Sequence, residues 1–325
     1  MPAGALPDWE LTRDGHEAST PGDQRGDRDP STSLGTTRLQ LSATLTKEDL
    51  LNPFVCVTCG AHYPSATTPP ASCPICDDER QYLGPGGQAW TTLDALKQGH
   101  RNTVVPVEPG LAGIMTEPKV AIGQQAHLIQ TPAGNLLWNC ISLVDDATVE
   151  AVERLGGLAA IAVSHPHFFT GVAAWSAAFG GVPIHIHADD RQWVTHPDPA
   201  VRFWEGDTLD PLPGSGLTLV RCGGHFPGSC VVHWPAGADD RGVLLTGDTI
   251  MVVPDRRWVS FMYSYPNLIP LGAVAVRRIV ASVDPYSYDR LYSAWPGSVV
   301  ATGAKAAVHR SADRYVGWID GTAGA

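Results

Sequence analysis

Hydrophobic and polar positions fall into three regimes along the chain. Residues 1–44 are rich in Pro, Gly, Asp, Ser and Thr with almost no apolar period. Such a stretch cannot bury enough surface to offset its ordering entropy, and a disordered tail is predicted there. Residues 45–90 form a compact, cysteine-bearing segment that runs into Gly84-Pro85-Gly86-Gly87. Thr91 or Thr92 then caps a short helix reaching Leu96. Short apolar runs follow at Thr103–Val107, Leu111–Thr116, Ala126–Thr131 and Leu136–Cys140, the last two joined by the turn Pro132-Ala133-Gly134-Asn135. That pattern predicts a meander of antiparallel strands. After residue 147 helices and strands alternate. Helices are predicted at Thr148–Leu155, Gly171–Phe179, Asp189–Val194, Leu271–Ser282 and Ala304–Ile319. Strands are predicted at Leu158–Ser164, Val182–His187, Leu217–Cys222, Cys230–Trp234, Val243–Thr246 and Arg290–Trp295. Two sheets with helices outside, an α/β (α+β) sandwich, is the expected arrangement over residues 91–325.

Composition narrows the partners. The net charge of -11 argues against a nucleic-acid backbone as partner. No run of about 18 uncharged apolar residues is present, so no membrane partner is expected. The opening MPAGALPDWELTRDG lacks a basic stretch followed by an apolar one, and a cytoplasmic protein is the expectation. Arg25-Gly26-Asp27, an adhesion-type tripeptide, reads as chance in that setting. The seven cysteines are an odd number in a long chain, unlike a secreted disulfide scaffold. Cys140, Cys222 and Cys230 sit in apolar or Gly-rich stretches and read as buried small hydrophobes.

The other four cysteines are paired in sequence. Cys56-Val57-Thr58-Cys59 and Cys73-Pro74-Ile75-Cys76 are two C-x-x-C turns separated by thirteen residues. Each turn offers two thiolates to one tetrahedral ion, and the intervening loop brings the second pair across. The segment resembles zinc ribbons and the rubredoxin-like knuckle of rubrerythrins. Zinc would make it a structural staple, and iron an electron carrier.

A second constellation carries the chemistry. Ser164-His165-Pro166-His167 follows directly on the apolar run LAAIAVS. His225 lies in the Gly-rich stretch Cys222-Gly223-Gly224-His225-Phe226-Pro227-Gly228-Ser229, and Asp248 ends the run Leu244-Leu245-Thr246-Gly247-Asp248. Three imidazoles and one carboxylate at strand ends make a normal ligand set for Zn²⁺ or non-haem iron. The order and spacing of HPH, GGHFPGS and LLTGD resemble the metallo-β-lactamase-fold hydrolase superfamily over roughly residues 102–320. The resemblance implies an αββα sandwich with a metal held by His165, His167 and His225, and with Asp248 as the carboxylate that bridges two metals in dinuclear members.

Departures from the family pattern matter equally. Where the resemblance places the second-site aspartate and histidine, this chain has Phe169 and Thr170, and the last ligand position falls near Trp295. Every ligand specific to a second metal is missing while the first set is intact, and a mononuclear site is inferred. The expected activity is metal-assisted hydrolysis of a small ester, thioester or lactone-like substrate, with Asp248 as fourth ligand, water-orienting base or both. The alternatives are a mononuclear non-haem iron oxidoreductase fed through a rubredoxin-like knuckle, and a non-catalytic binding protein. His187, Phe169, Arg257 and Tyr263 are candidate substrate contacts, the last two from the aromatic, basic segment 249–267. Trp193 and Trp204 are read as surface residues for contact between copies, with homo-oligomerisation left open.

Overall fold

The computed structural model describes residues 52–323, so the predicted tail and its Arg25-Gly26-Asp27 lie outside the described residues. The first element is a three-stranded sheet ordered β2-β1-β3, from β1 (Phe54–Cys56), β2 (His62–Tyr63) and β3 (Trp90–Thr92). Its third strand ends two residues past the expected limit of the cysteine segment. Thr92 caps the helix Leu93–Gly99 as the sequence predicts, accepting from the Ala95 N–H.

The predicted meander is β4 (Arg101–Glu108), β5 (Leu111–Glu117), β6 (Ala126–Thr131) and β7 (Gly134–Trp138), antiparallel throughout. Crossovers through the helices Asp146–Arg154 and Val172–Ala178 then add the parallel strands β8 (Ala160–Ala162) and β9 (Ile184–His187), and β10 (Val201–Trp204) follows. The second large sheet begins with β11 (Thr208–Leu209), β12 (Thr218–Arg221), β13 (Cys230–Trp234) and β14 (Val243–Leu245). Two small hairpins interrupt it: β15 (Met251–Val252) with β16 (Val259–Ser260), and β17 (Met262–Ser264) with β18 (Ile269–Pro270). The sheet resumes as β19 (Arg290–Tyr292), parallel to β14, and ends in β20 (Val299–Val300). Among the described residues no helix is long and apolar enough to cross a membrane.

Three apolar layers hold the sandwich. Trp138, Leu136 and Ala162 of the first sheet meet Leu219, Val232 and Leu245 of the second between the sheets. Val152, Val172 and Trp175 cover the outer face of the first sheet, and Val276, Ile279, Ala307 and Val308 that of the second. Alternation along each strand sends side chains to both layers, so the strands read as near-continuous apolar runs. Trp204 is corrected by this packing. Trp204 is buried between the sheets and Trp193 is half-buried against Phe226. Trp204 therefore packs in the core and not on the surface, while Trp193 keeps part of its ring exposed.

The cysteine segment docks on the sandwich by hydrogen bonds to its backbone. The His62 imidazole donates to the Ser142 carbonyl at 2.9 Å, Ser142 Oγ donates to the Gly60 carbonyl at 2.8 Å, and the His62 N–H donates to the Thr170 carbonyl at 3.1 Å. Gly60 has φ +80°, and a Cβ there would run into Ser142 Oγ. Gly60→Ala is therefore expected to destabilise the fold by about 1 kcal/mol or more. Gly86→Ala, where a Cβ meets nothing within 4 Å, is expected to leave the unfolding midpoint in place. Paired denaturant titrations check the difference.

Candidate metal centre

The ligand candidates stand at the ends of strands from both sheets. His165 and His167 follow β8, with His167 in the single 3₁₀ turn Pro166–Phe168. His225 lies in the loop between β12 and β13, and Asp248 follows β14. The Cys230 N–H donates to the Ser164 carbonyl at 2.9 Å, which ties the start of β13 to the histidine turn across the two sheets.

The four side chains converge on one point. The three imidazole centroids form a triangle of 4.8, 5.0 and 5.1 Å, each ring edge-on to the others. His225 Nε2 is 3.2 Å from His167 Nδ1. Asp248 Oδ2 lies 3.4 Å from His165 Nε2, 3.7 Å from His167 Nδ1 and 3.8 Å from His225 Nε2. A tetrahedral zinc with 2.0–2.1 Å bonds would space its ligand atoms by about 3.3–3.4 Å, close to these separations. His165 Nε2 and Asp248 Oδ1 are buried and make no hydrogen bond. Lone pairs left this way carry a large desolvation cost unless a cation completes them, and the residues fit one metal ion.

Neighbouring groups fix which nitrogen faces inward. His165 Nδ1 is 2.9 Å from Ser164 Oγ, and His225 Nδ1 is 3.1 Å from the Met262 carbonyl. An Nδ1–H donated to these oxygens leaves each Nε2 as a lone pair directed at the centre. Ser164 is held in turn by Asn139, whose side-chain oxygen accepts the Ser164 N–H at 2.8 Å. Gly247 comes close enough that a Cβ would lie 2.5 Å from Ser164 Oγ, and its φ of +54° also favours glycine. This explains the Gly-Asp pair of the motif.

Electrostatics leave the set ready to bind. Burial lowers the His165 ring from its ordinary value, and burial with the neighbouring His165 and His167 rings lowers His225 well below it. Burial alone would raise the Asp248 carboxyl, but the His165, His167 and His225 rings outweigh it and hold the group well below the usual carboxylate range. The result is two neutral imidazoles facing an ionised carboxylate, the protonation states that metal binding requires.

The cysteines form the second centre. Cys56 Sγ is 3.6 Å from Cys76 Sγ, and Cys59 Sγ is 3.6 Å from Cys73 Sγ. A tetrahedral ion with 2.3 Å bonds to sulfur would space them by about 3.8 Å. All four are buried, and crowding drives their thiols apart: contact with Cys59 holds Cys56 down, while contact with Cys56 pushes Cys59 up. A cation among them lets all four ionise together. Cys140, Cys222 and Cys230 are buried among apolar side chains.

Of the other sequence candidates, Tyr263 alone touches the surroundings of the centre. Its ring lies 4.2 Å from the Arg80 guanidinium, and its hydroxyl donates to Glu79 at 2.8 Å. Phe169 is buried in the core against the outer helices. His187 is held by the Gly206 carbonyl at 3.1 Å and packs edge-on to Trp204. Arg257 is exposed and forks onto Asp255.

Two residues that sequence reasoning missed do reach the centre. Arg80, four positions after Cys76, donates Nε–H to the His225 carbonyl at 2.6 Å and lies between Phe226 and Tyr263, 4.4 and 4.2 Å from the ring centroids. Asp190 accepts the Gly228 N–H at 2.8 Å from the same loop, and its burial pushes the carboxyl up to about 7. No local motif marks either residue, because each finds its partner only through the fold.

Fold and site together define the chain as a metallo-β-lactamase-fold protein with a buried His₃Asp candidate metal centre and a Cys₄ cluster. No family model matches it. The chain is 49% identical over 265 residues to the uncharacterized protein YmaE of Bacillus subtilis (strain 168), which covers 81% of this chain and 95% of that one. It belongs to the family of YmaE. Among solved structures, VMB-1, crystallised at pH 5.5, is 10% identical with a TM-score of 0.51, over 67% of this chain and 98% of its own. The metallo-β-lactamase FIM-1 from Pseudomonas aeruginosa, in a mono-zinc form, is 14% identical with a TM-score of 0.48, over 66% and 96%.

The Arg80 contacts generate a prediction. Arg80→Ala is expected to weaken zinc binding at the histidine centre by about 10–100-fold, the usual effect of losing a group that orients a ligand. Binding at the cysteines is expected to stay within a few-fold. Competition against a chromophoric chelator, read for the two sites in turn, checks it.

Proposed function

We propose that this protein is a hydrolase of a small ester, thioester or lactone, working with a single metal ion held by His165, His167, His225 and Asp248. The observation that supports it most is the convergence of three imidazole nitrogens and one carboxylate oxygen, all buried, with a free lone pair on Asp248 Oδ1. A zinc ion bound there supplies Lewis-acid polarisation of a carbonyl and activation of water at neutral pH.

The chain's own residues divide the remaining tasks. His165 and His225 stay neutral and are held in register by Ser164 and Met262. Asp248 turns Oδ2 toward the three rings, which leaves Oδ1 to accept a proton from the attacking water. Phe168 and Phe226 pack against the imidazoles and exclude bulk water. Water's hydroxyl ends on the acyl carbon, the C–O or C–S bond breaks, and the proton goes to the departing oxygen or sulfur. Support for one metal rather than two comes from the use made of Phe169 and Thr170. Phe169 fills the core, and the Thr170 carbonyl receives the cysteine segment. We assign zinc at the cysteines a structural role, since four thiolates leave no open position.

Metal content of anaerobically purified protein tests this reading. Two zinc ions per chain are expected. The His165→Ala/His225→Ala variant loses one together with all esterase and thioesterase activity, and Cys56→Ala/Cys59→Ala loses the other. Asp248→Asn, assayed in excess zinc, is expected to hydrolyse about 10²-fold or more slowly. Iron at the histidine centre with oxygen uptake would overturn the hydrolase reading in favour of an oxidoreductase. A histidine variant with unchanged metal content would leave a binding protein.

A further inference from the structure

Beside the metal centre lies an open cleft of about 610 Å³, walled by Met251, Val252, Pro254, Met262 and Pro296. The volume falls among those of small-ligand sites, roughly 300–1,000 Å³. One cation stands on this apolar rim. A Cβ built on Gly297 would lie 3.5 Å from Arg256 Nη2, which places the guanidinium over the cleft beside a residue with no side chain. The neighbouring arginines are otherwise engaged: Arg257 on Asp255, and Arg310 and Arg314 over the Trp258 ring. Arg256 forms no ion pair among the described residues.

Two cleft residues also touch the metal centre. Met262 accepts the His225 Nδ1–H through its carbonyl. Tyr265 lines the cleft, sets its ring 5.8 Å from that of His225, and donates its hydroxyl toward the Asp248 carbonyl at 3.0 Å. None of the four ligands is more than 3% exposed, so a substrate reaches them only if a wall moves. Met262 and Tyr265 both lie between cleft and centre, and of the two Tyr265 sets its side chain against both.

We propose that this cleft binds the acyl portion of the substrate, an apolar chain ending in a carboxylate or phosphate that pairs with Arg256, and that Tyr265 is the partition it displaces. A guanidinium offers a planar fork to either anion, and Arg256 stands exposed at the mouth of the cleft, where it can meet the headgroup of a chain lying along the apolar wall. Binding in the cleft stands apart from the hydrolase reading. Delivery to the histidine centre rests on it.

Calorimetric binding of decanoate, decyl phosphate and decanol to the zinc-loaded full chain tests the proposal. Both anions are expected to bind about two- to fivefold more tightly than decanol, the effect of one solvent-exposed ion pair. Arg256→Ala erases that margin, Arg256→Lys restores part of it, and the tighter anion names the headgroup. The margin persists in His165→Ala, because the anion sits on Arg256 and not on the metal. Equal binding of all three probes overturns the proposal, as does a margin lost in His165→Ala or Arg257→Ala but kept in Arg256→Ala. Should the anions bind as expected while no ester is cleaved, the cleft stands and the hydrolase reading fails.

Discussion

A carboxylate buried among three imidazoles is the constraint around which this molecule is arranged. Burial alone would raise the Asp248 carboxyl, but the surrounding rings hold it below its ordinary pKa, and a carboxylate charge is buried at the centre. An unpaired buried charge is among the most costly features a fold can hold, and only a cation relieves it. The supporting details follow from that cost. Gly247 lacks a side chain and so can lie against Ser164, Ser164 fixes the His165 tautomer, and Asn139 fixes Ser164. Each layer exists to keep one lone pair aimed at one point.

The cysteine segment belongs to the same arrangement. A segment of that size buries little apolar surface of its own, and an ion held among the four thiolates would supply stability. Its placement also gives it a hold on the other centre. His62 docks on the carbonyl of Thr170, three residues past His167, and Arg80 binds the carbonyl of His225 itself. The positions where the family resemblance would put a second metal's ligands are thus used for core packing and for this docking. A second ion would need polar side chains where Phe169 fills the core.

Much of this was legible in the sequence, and the boundary has a physical basis. The Cys-x-x-Cys turns, His165-Pro166-His167 and Gly247-Asp248 are local devices: their chemistry sits within a few residues and survives reading without a fold. The helix Ala304–Ile319 and the strand Cys230–Trp234 were equally plain, since amphipathic period and apolar runs are local too. Arg80 and Asp190 were not. Their partners lie 145 and 38 positions away, and nothing nearby distinguishes them from any solvated charge. The basic pair Arg256-Arg257 shows the limit well. The sequence singles out the pair, yet only the fold separates the arginine that satisfies Asp255 from the one left over the cleft. Trp204 failed for the converse reason, since a tryptophan at the end of a strand reads as surface until the opposing sheet is known.

The closed centre raises the question of which side opens, and the contacts decide it. On the cysteine side, displacing Arg80 would break a charged hydrogen bond to His225, a bidentate pair with Asp78 and two ring contacts. Charged hydrogen bonds are worth about 1.5–3 kcal/mol each, and desolvated cation–ring contacts about 2 kcal/mol. On the cleft side, Tyr265 is held by a neutral hydroxyl placed 3.0 Å from the Asp248 carbonyl and 3.2 Å from that of Ser260. A neutral bond contributes only about 0.5–1.5 kcal/mol, and a substrate group can replace it in the same place. Displacing Arg80 would break a charged hydrogen bond to the ligand His225, whereas displacing Tyr265 breaks two neutral hydrogen bonds to backbone carbonyls and one ring contact to His225. The cysteine segment is therefore the fixed wall of the centre, and the cleft is its door.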